Sequence, residues 1–83
     1  MLTRTDKAFL TAVGGRIREL RVGLGISQEE LGFRCGLDRT YVSAVERGRR
    51  NLGLVNVRRI AHALHVRPAV KPAPFSDERM IAV

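Results

Sequence analysis

Apolar residues recur at Phe9, Leu10, Val13, Ile17 and Leu20, the spacing of one helical face, and predict a first helix from Asp6 to about Val22. Thr5 or Asp6 is placed to accept the free N–H groups at its start. Gly14 and Gly15 interrupt its middle, each at about 1 kcal/mol relative to alanine, and mark either a kink or the true start of the helix at Arg16. Gly23-Leu24-Gly25-Ile26 breaks the pattern, and Ser27-Gln28-Glu29-Glu30 then has the form of a capping box opening a second helix. That helix is short, because Gly36 suits the left-handed geometry that follows a helix end. Asp38 caps a third helix running from Arg39 to about Arg47, which buries Val42 and Val45 and stops at Gly48. Beyond the polar loop Arg49-Arg50-Asn51, the stripe Leu54, Val57, Ile60, Ala61, Leu64 predicts a fourth helix that begins after Gly53, its end marked by Val66 and Pro68.

Residues 68–83 contain Pro68, Pro72 and Pro74 and no apolar stripe, so they read as an extended tail with at most a turn of helix at Ser76-Asp77-Glu78-Arg79. The expected organisation is one domain over residues 1–67 followed by a Pro-interrupted tail over 68–83. An 83-residue chain buries only about 60% of its unfolded surface, which leaves little room for a catalytic cleft.

Charge changes the picture from a fold to a partner. The chain carries 15 basic and 8 acidic residues, a net charge of +7. Six of the basic residues, Arg39, Arg47, Arg49, Arg50, Arg58 and Arg59, fall within 39–59, where Glu46 is the only acid. A concentrated positive charge favours a polyanion. Arginine suits that role, since its guanidinium offers two parallel N–H groups to phosphate or guanine.

Two short helices joined by a Gly-containing turn have the form of a DNA-binding helix-turn-helix, whose second helix enters the major groove. With Val42 and Val45 turned inward, Thr40, Ser43, Ala44 and Arg47 fall on the other side, and Arg39 stands at the exposed N-terminal end.

Four segments carry a resemblance: Arg16-Ile17-Arg18-Glu19-Leu20-Arg21, Ser27-Gln28-Glu29-Glu30-Leu31, Tyr41-Val42-Ser43-Ala44-Val45-Glu46-Arg47-Gly48 and Ile60-Ala61-His62-Ala63-Leu64. Over residues 13–66 the chain resembles the phage repressor/Cro-like helix-turn-helix regulators. Through Leu37-Asp38-Arg39-Thr40-Tyr41 and Glu46-Arg47-Gly48-Arg49-Arg50-Asn51-Leu52 it is most similar to the controller proteins of restriction–modification systems. The resemblance implies an all-α, compact four- to five-helix lambda-repressor-like domain. It also implies a transcriptional regulator acting as a homodimer on a symmetric operator of double-stranded DNA, with half-sites about 34 Å apart.

Carried over by position, the resemblance puts Arg39, Thr40, Ser43 and Ala44 at the bases. It puts Ser27 and Gln28 at a phosphate, where the free N–H groups of a helix start favour an anion. Arg47, Arg49, Arg50 and Asn51 are expected to touch the DNA backbone, although a solvated face is open to Arg49, Arg50, Arg58 and Arg59 alike. Arg39 is either a base contact, a solvated arginine or a partner of Asp38. Tyr41 is placed either to pack or to direct its hydroxyl at the backbone. Relatives pair the position of Glu46 with a cation on the first helix, and Arg21 is the matching residue, so a structural Arg21–Glu46 ion pair is expected.

Cys35 is expected to be an inert core thiol, and His62 and His65, without a nearby Cys or acid, to bind no metal. No nucleophile with its base, phosphate loop or carboxylate pair suggests an enzyme, a cofactor or a small-molecule substrate. A single cysteine and the lack of a long apolar run point to the cytoplasm rather than a membrane. Relatives continue into a fifth helix that helps form the dimer, a region the prolines interrupt here. Leu54, Val55, Val70, Phe75, Met80 and Ile81 are the candidate dimer contacts. The rival reading is a protein-interaction module, such as an antitoxin whose tail binds a toxin.

Overall fold

The first helix begins earlier than the apolar stripe suggests, because Thr3 and Asp6 satisfy each other's backbone. Thr3 Oγ1 accepts from the Asp6 N–H at 3.0 Å and Asp6 Oδ2 accepts from the Thr3 N–H at 2.9 Å. This reciprocal capping box starts α1 (Arg4–Gly23) at Thr3 rather than at the expected Thr5 or Asp6. The structure, a computed structural model, describes residues 1–66. The expected tail, with Val70, Phe75, Met80 and Ile81, lies outside the described residues.

The glycine pair neither kinks α1 nor starts it, since the helix is continuous through both. Gly14 is buried where α1 crosses the end of the third helix. A Cβ there would run into the carbonyl oxygens of Val45 and Glu46, whereas one on Gly15 would meet nothing within 4 Å. The helix-propensity cost of Gly14 therefore permits a close backbone approach.

Ser27 caps α2 (Gln28–Cys35), its Oγ accepting from the Glu30 N–H at 3.0 Å. The reciprocal half of the expected capping box is not made; the Glu30 carboxylate accepts from Arg34 Nε at 2.8 Å instead, one turn along. Asp38 caps α3 (Arg39–Glu46) through Oδ2, 2.8 Å from the Thr40 nitrogen that donates to it. Gly53 opens α4 (Leu54–Ala63) without a side-chain cap. Each helix closes through a backbone bond between residues five apart: Ile26 to Arg21, Leu37 to Gly32, Arg49 to Ala44 and Val66 to Ala61. Gly25, Gly36, Gly48 and His65 supply the left-handed residue at these ends. His65 stops α4 at Ala63, short of the expected Val66.

α3 packs against both α1 and α2, and α2 also packs against α4. The core joins Ile17, Leu31, Cys35, Val42, Val45, Ile60, Ala63 and Leu64, flanked by Val13, Leu20, Ile26, Leu37, Tyr41 and Leu52. Leu31 and Val42 are almost wholly enclosed, each contributing about 1.5–3 kcal/mol of hydrophobic stabilisation. Two residues of the expected apolar stripes are exposed. Phe9 lies on the exposed N-terminal half of α1, and Leu54 on the first turn of α4, so both are solvent-facing. The described residues form four helices and no strand, an all-α fold.

Candidate nucleic-acid interface

The inward side of α3 is held at two levels. Val42 and Val45 enter the core, and beside Val45 the Glu46 carboxylate, 1% exposed, meets Arg21 of α1 in a two-pronged ion pair. Arg21 Nε donates to Glu46 Oε2 at 2.6 Å and Nη2 donates to Oε1 at 3.0 Å. Nη1 of the same guanidinium donates to the Ile26 carbonyl at 2.9 Å, immediately before the cap of α2. The bonds to Glu46 raise the Arg21 pKa despite the opposing effect of burial. The acid on a helix otherwise flanked by cations is thereby neutralised inside the protein.

Gln28, half-buried at the start of α2, joins the same group, its Nε2 donating to Glu46 Oε1 at 3.1 Å. Every buried side-chain nitrogen and oxygen among the described residues has a partner. The resemblance places Gln28 at a phosphate alone, and no spacing in the chain announces a contact between residues 28 and 46.

Tyr41 is half-buried at the edge of the core, and its hydroxyl accepts from Asn56 Nδ2 of α4 at 3.1 Å. The Arg50 guanidinium carbon lies 4.7 Å from the centre of its ring. Packing and a polar role therefore coincide at Tyr41, and the ring supports an arginine from the following loop. Neither Asn56 nor the Arg50–Tyr41 contact was legible in the sequence. The loop itself is pinned at Gly48, where φ is +73° and a Cβ would lie 2.7 Å from Thr11 Cα of α1.

The outward side is graded. Arg39 and Thr40 are exposed, Ser43 and Ala44 are half-buried, and Arg47, Arg49, Arg50 and Asn51 are exposed again. Asp38 does not pair with Arg39. Its carboxyl is committed to Thr40, whose side chain first and backbone N–H second hold it below the usual aspartate range. Ion pairs among the described residues are Arg16–Glu19, Arg21–Glu46 and Arg34–Glu30, so Arg39, Arg47, Arg49, Arg50, Arg58 and Arg59 have none there. Ser27 is exposed with its oxygen already accepting the cap bond, which leaves its hydroxyl proton to donate.

Cys35 is buried with Sγ 3.7 Å from the Arg59 carbonyl oxygen, and burial pushes its thiol pKa up. Among the described residues no group of three His, Cys, Asp or Glu side chains is placed to hold a metal. No helix among them is long and apolar enough to cross a membrane.

A family profile described as helix-turn-helix matches residues 17–71. A Neisseria meningitidis protein named as a hypothetical transcription factor is 60% identical over 62 residues, covering 74% of this chain and 58% of that protein. The control protein C.BamHI of Bacillus amyloliquefaciens is 46% identical over 56 residues, covering 66% of this chain and 69% of its own. Among solved structures, the restriction–modification controller protein C.AhdI of Aeromonas hydrophila superposes with a TM-score of 0.72 at 52% identity, covering 74% of this chain and 88% of that one. These relatives carry the names of regulators rather than of enzymes.

Proposed function

The chain belongs to the helix-turn-helix family, and on that premise we propose that it is a sequence-specific DNA-binding regulator of a restriction–modification system. The observation that carries this reading is the contrast across α3: one side is locked by Val42, Val45 and Glu46, while the other offers Arg39 and Thr40 beside Arg47, Arg49 and Arg50, which have no ion pair among the described residues. A rigid helix with a small, cationic outer face fits the major groove.

Arg39 is the base reader, bonding guanine O6 and N7 through two guanidinium N–H groups, with Thr40, Ser43 and Ala44 beside it. Ser27 and Gln28 grip one phosphate, and Tyr41, Arg47, Arg49, Arg50 and Asn51 follow the backbone beyond α3. The regulator acts in the cytoplasm as a homodimer, placing two α3 helices about 34 Å apart on a symmetric operator. The exposure of Leu54 and Val55, 76% and 61% at the start of α4, supports their place in its interface.

A footprint of the wild type against Arg39→Ala, on DNA from upstream of the chain's own coding sequence, tests this reading. A symmetric protected site is expected, and Arg39→Ala should lose about 1–3 kcal/mol of discrimination at one base pair per half-site. Unchanged base preference in the variant refutes direct readout by Arg39. A monomeric mass in sedimentation, with and without DNA, refutes the dimer.

A further inference from the structure

The first residue of α2 and the last residue of α3 meet at one carboxylate. Glu46 Oε1 accepts both from Arg21 Nη2 at 3.0 Å and from Gln28 Nε2 at 3.1 Å. A carboxylate only accepts, so the Gln28 carboxamide must turn its NH2 toward Glu46 and cannot present its carbonyl oxygen there. One N–H is consumed; because the amide is planar, the directions of the second N–H and of the carbonyl oxygen are then set. The carboxylate is itself immobile, held on both oxygens by a guanidinium that also holds the Ile26 carbonyl, just ahead of the α2 cap.

We infer that Glu46 is a positioning residue for Gln28: it fixes the carboxamide at the start of α2 so that the remaining N–H is aimed at a DNA phosphate in register with the reading face of α3. The inference rests on the DNA-binding reading above. It assigns Glu46 a part in binding without any contact to DNA. The negative charge itself is balanced by Arg21, so the carboxylate can orient a donor without opposing a polyanion.

A double-mutant cycle decides it. The wild type, Gln28→Ala, Glu46→Gln and the double variant are titrated against a duplex selected for wild-type binding, at one salt concentration and below each variant's melting transition. A glutamine at 46 can present either an oxygen or an NH2, so the orientation of the Gln28 amide is no longer dictated. Glu46→Gln should weaken binding about two- to tenfold, the cost of ordering one long side chain. Gln28→Ala should weaken it at least as much. The double variant should bind like Gln28→Ala alone, since Glu46 then has nothing to orient.

Losses that multiply overturn the inference and leave the proposed function standing. Gln28→Ala binding as tightly as the wild type overturns the inference too, by removing Gln28 from the interface. A wild type that binds no duplex overturns the proposed function and, with it, this inference. If Glu46→Gln does not fold, the free wild type supplies the second readout. The side-chain coupling constants of Gln28 in NMR should show one rotamer, and averaging over several overturns the inference.

Discussion

The buried seam of α3 and the loop that follows it sit side by side and are built on opposite principles. Along the seam, Val42, Val45 and Glu46 are enclosed and every polar atom is paired, so the helix has one position relative to α1 and α2. In the loop, Arg49 and Arg50 are exposed and carry no ion pair among the described residues; the contacts that hold this stretch are the turn at Gly48 and the stack on Tyr41. Reading bases requires donors fixed to within fractions of an ångström, which only packing supplies. Holding a phosphate chain requires charge, which works over several ångströms and tolerates movement. On the proposed function, the same short stretch divides specificity from affinity.

That division can be broken most sharply at Glu46. Glu46→Ala leaves the enclosed Arg21 without its counter-charge and should cost about 3–5 kcal/mol in urea unfolding; an unchanged midpoint would mean that the seam does not need the carboxylate. Next comes the α1 crossing. Gly14→Ala should lose about 1–3 kcal/mol, because its methyl group meets α3 backbone that has no room to yield. Gly15→Ala, facing open space one residue away, should gain up to about 1 kcal/mol through helix propensity. Shifts of the same sign for both glycines would sink the close approach.

The loop should answer differently. Arg49→Ala should change stability by less than about 0.5 kcal/mol. It should flatten the dependence of log K on log salt by about 0.9, one phosphate contact, with base preference untouched. A change of preferred sequence would erase the boundary between seam and loop.

The smallest effect is at the helix starts. The carboxyls of Asp6 and Asp38 are held below the usual aspartate range by hydrogen bonds from Thr3 and Thr40. The unfolded chain therefore binds more protons than the folded one near pH 4. The stability these caps contribute is present above the ordinary aspartate value, and it is lost as the pH falls below about 4 through the folded values. Asp38→Asn, which still caps but does not titrate, should shallow the acid-side fall in melting temperature; a profile identical to the wild type's would remove Asp38 from the account.

Much of this is legible in the chain itself. The short helices, their ends at Gly36 and Gly48, and the inward turn of Val42 and Val45 follow from local rules, since caps and apolar spacing act over one or two turns of chain. Where sequence reasoning erred, it extended a local rule past its neighbours. The α1 stripe extends by spacing to Phe9, which is 64% exposed. The Ser27–Glu30 box was expected to close on both sides, although Arg34 claims the glutamate. Both Gly14 and Gly15 were read as weaknesses of α1, when one of them is the crossing point with α3.

The sequence by itself determined the four helical segments, the concentration of arginine around the third and the kinship with helix-turn-helix regulators. Those properties reside in residues near one another along the chain, where periodicity and composition speak directly. Only the tertiary structure decided that Gln28 shares the Glu46 carboxylate with Arg21, that Asn56 holds Tyr41 beneath Arg50, and that Ser43 and Ala44 are half withdrawn from the surface. Each of these depends on how one helix is seated against another. A hydrogen bond between residues 18 positions apart is chosen by the crossing of two helices, and that crossing leaves no periodic trace in the sequence.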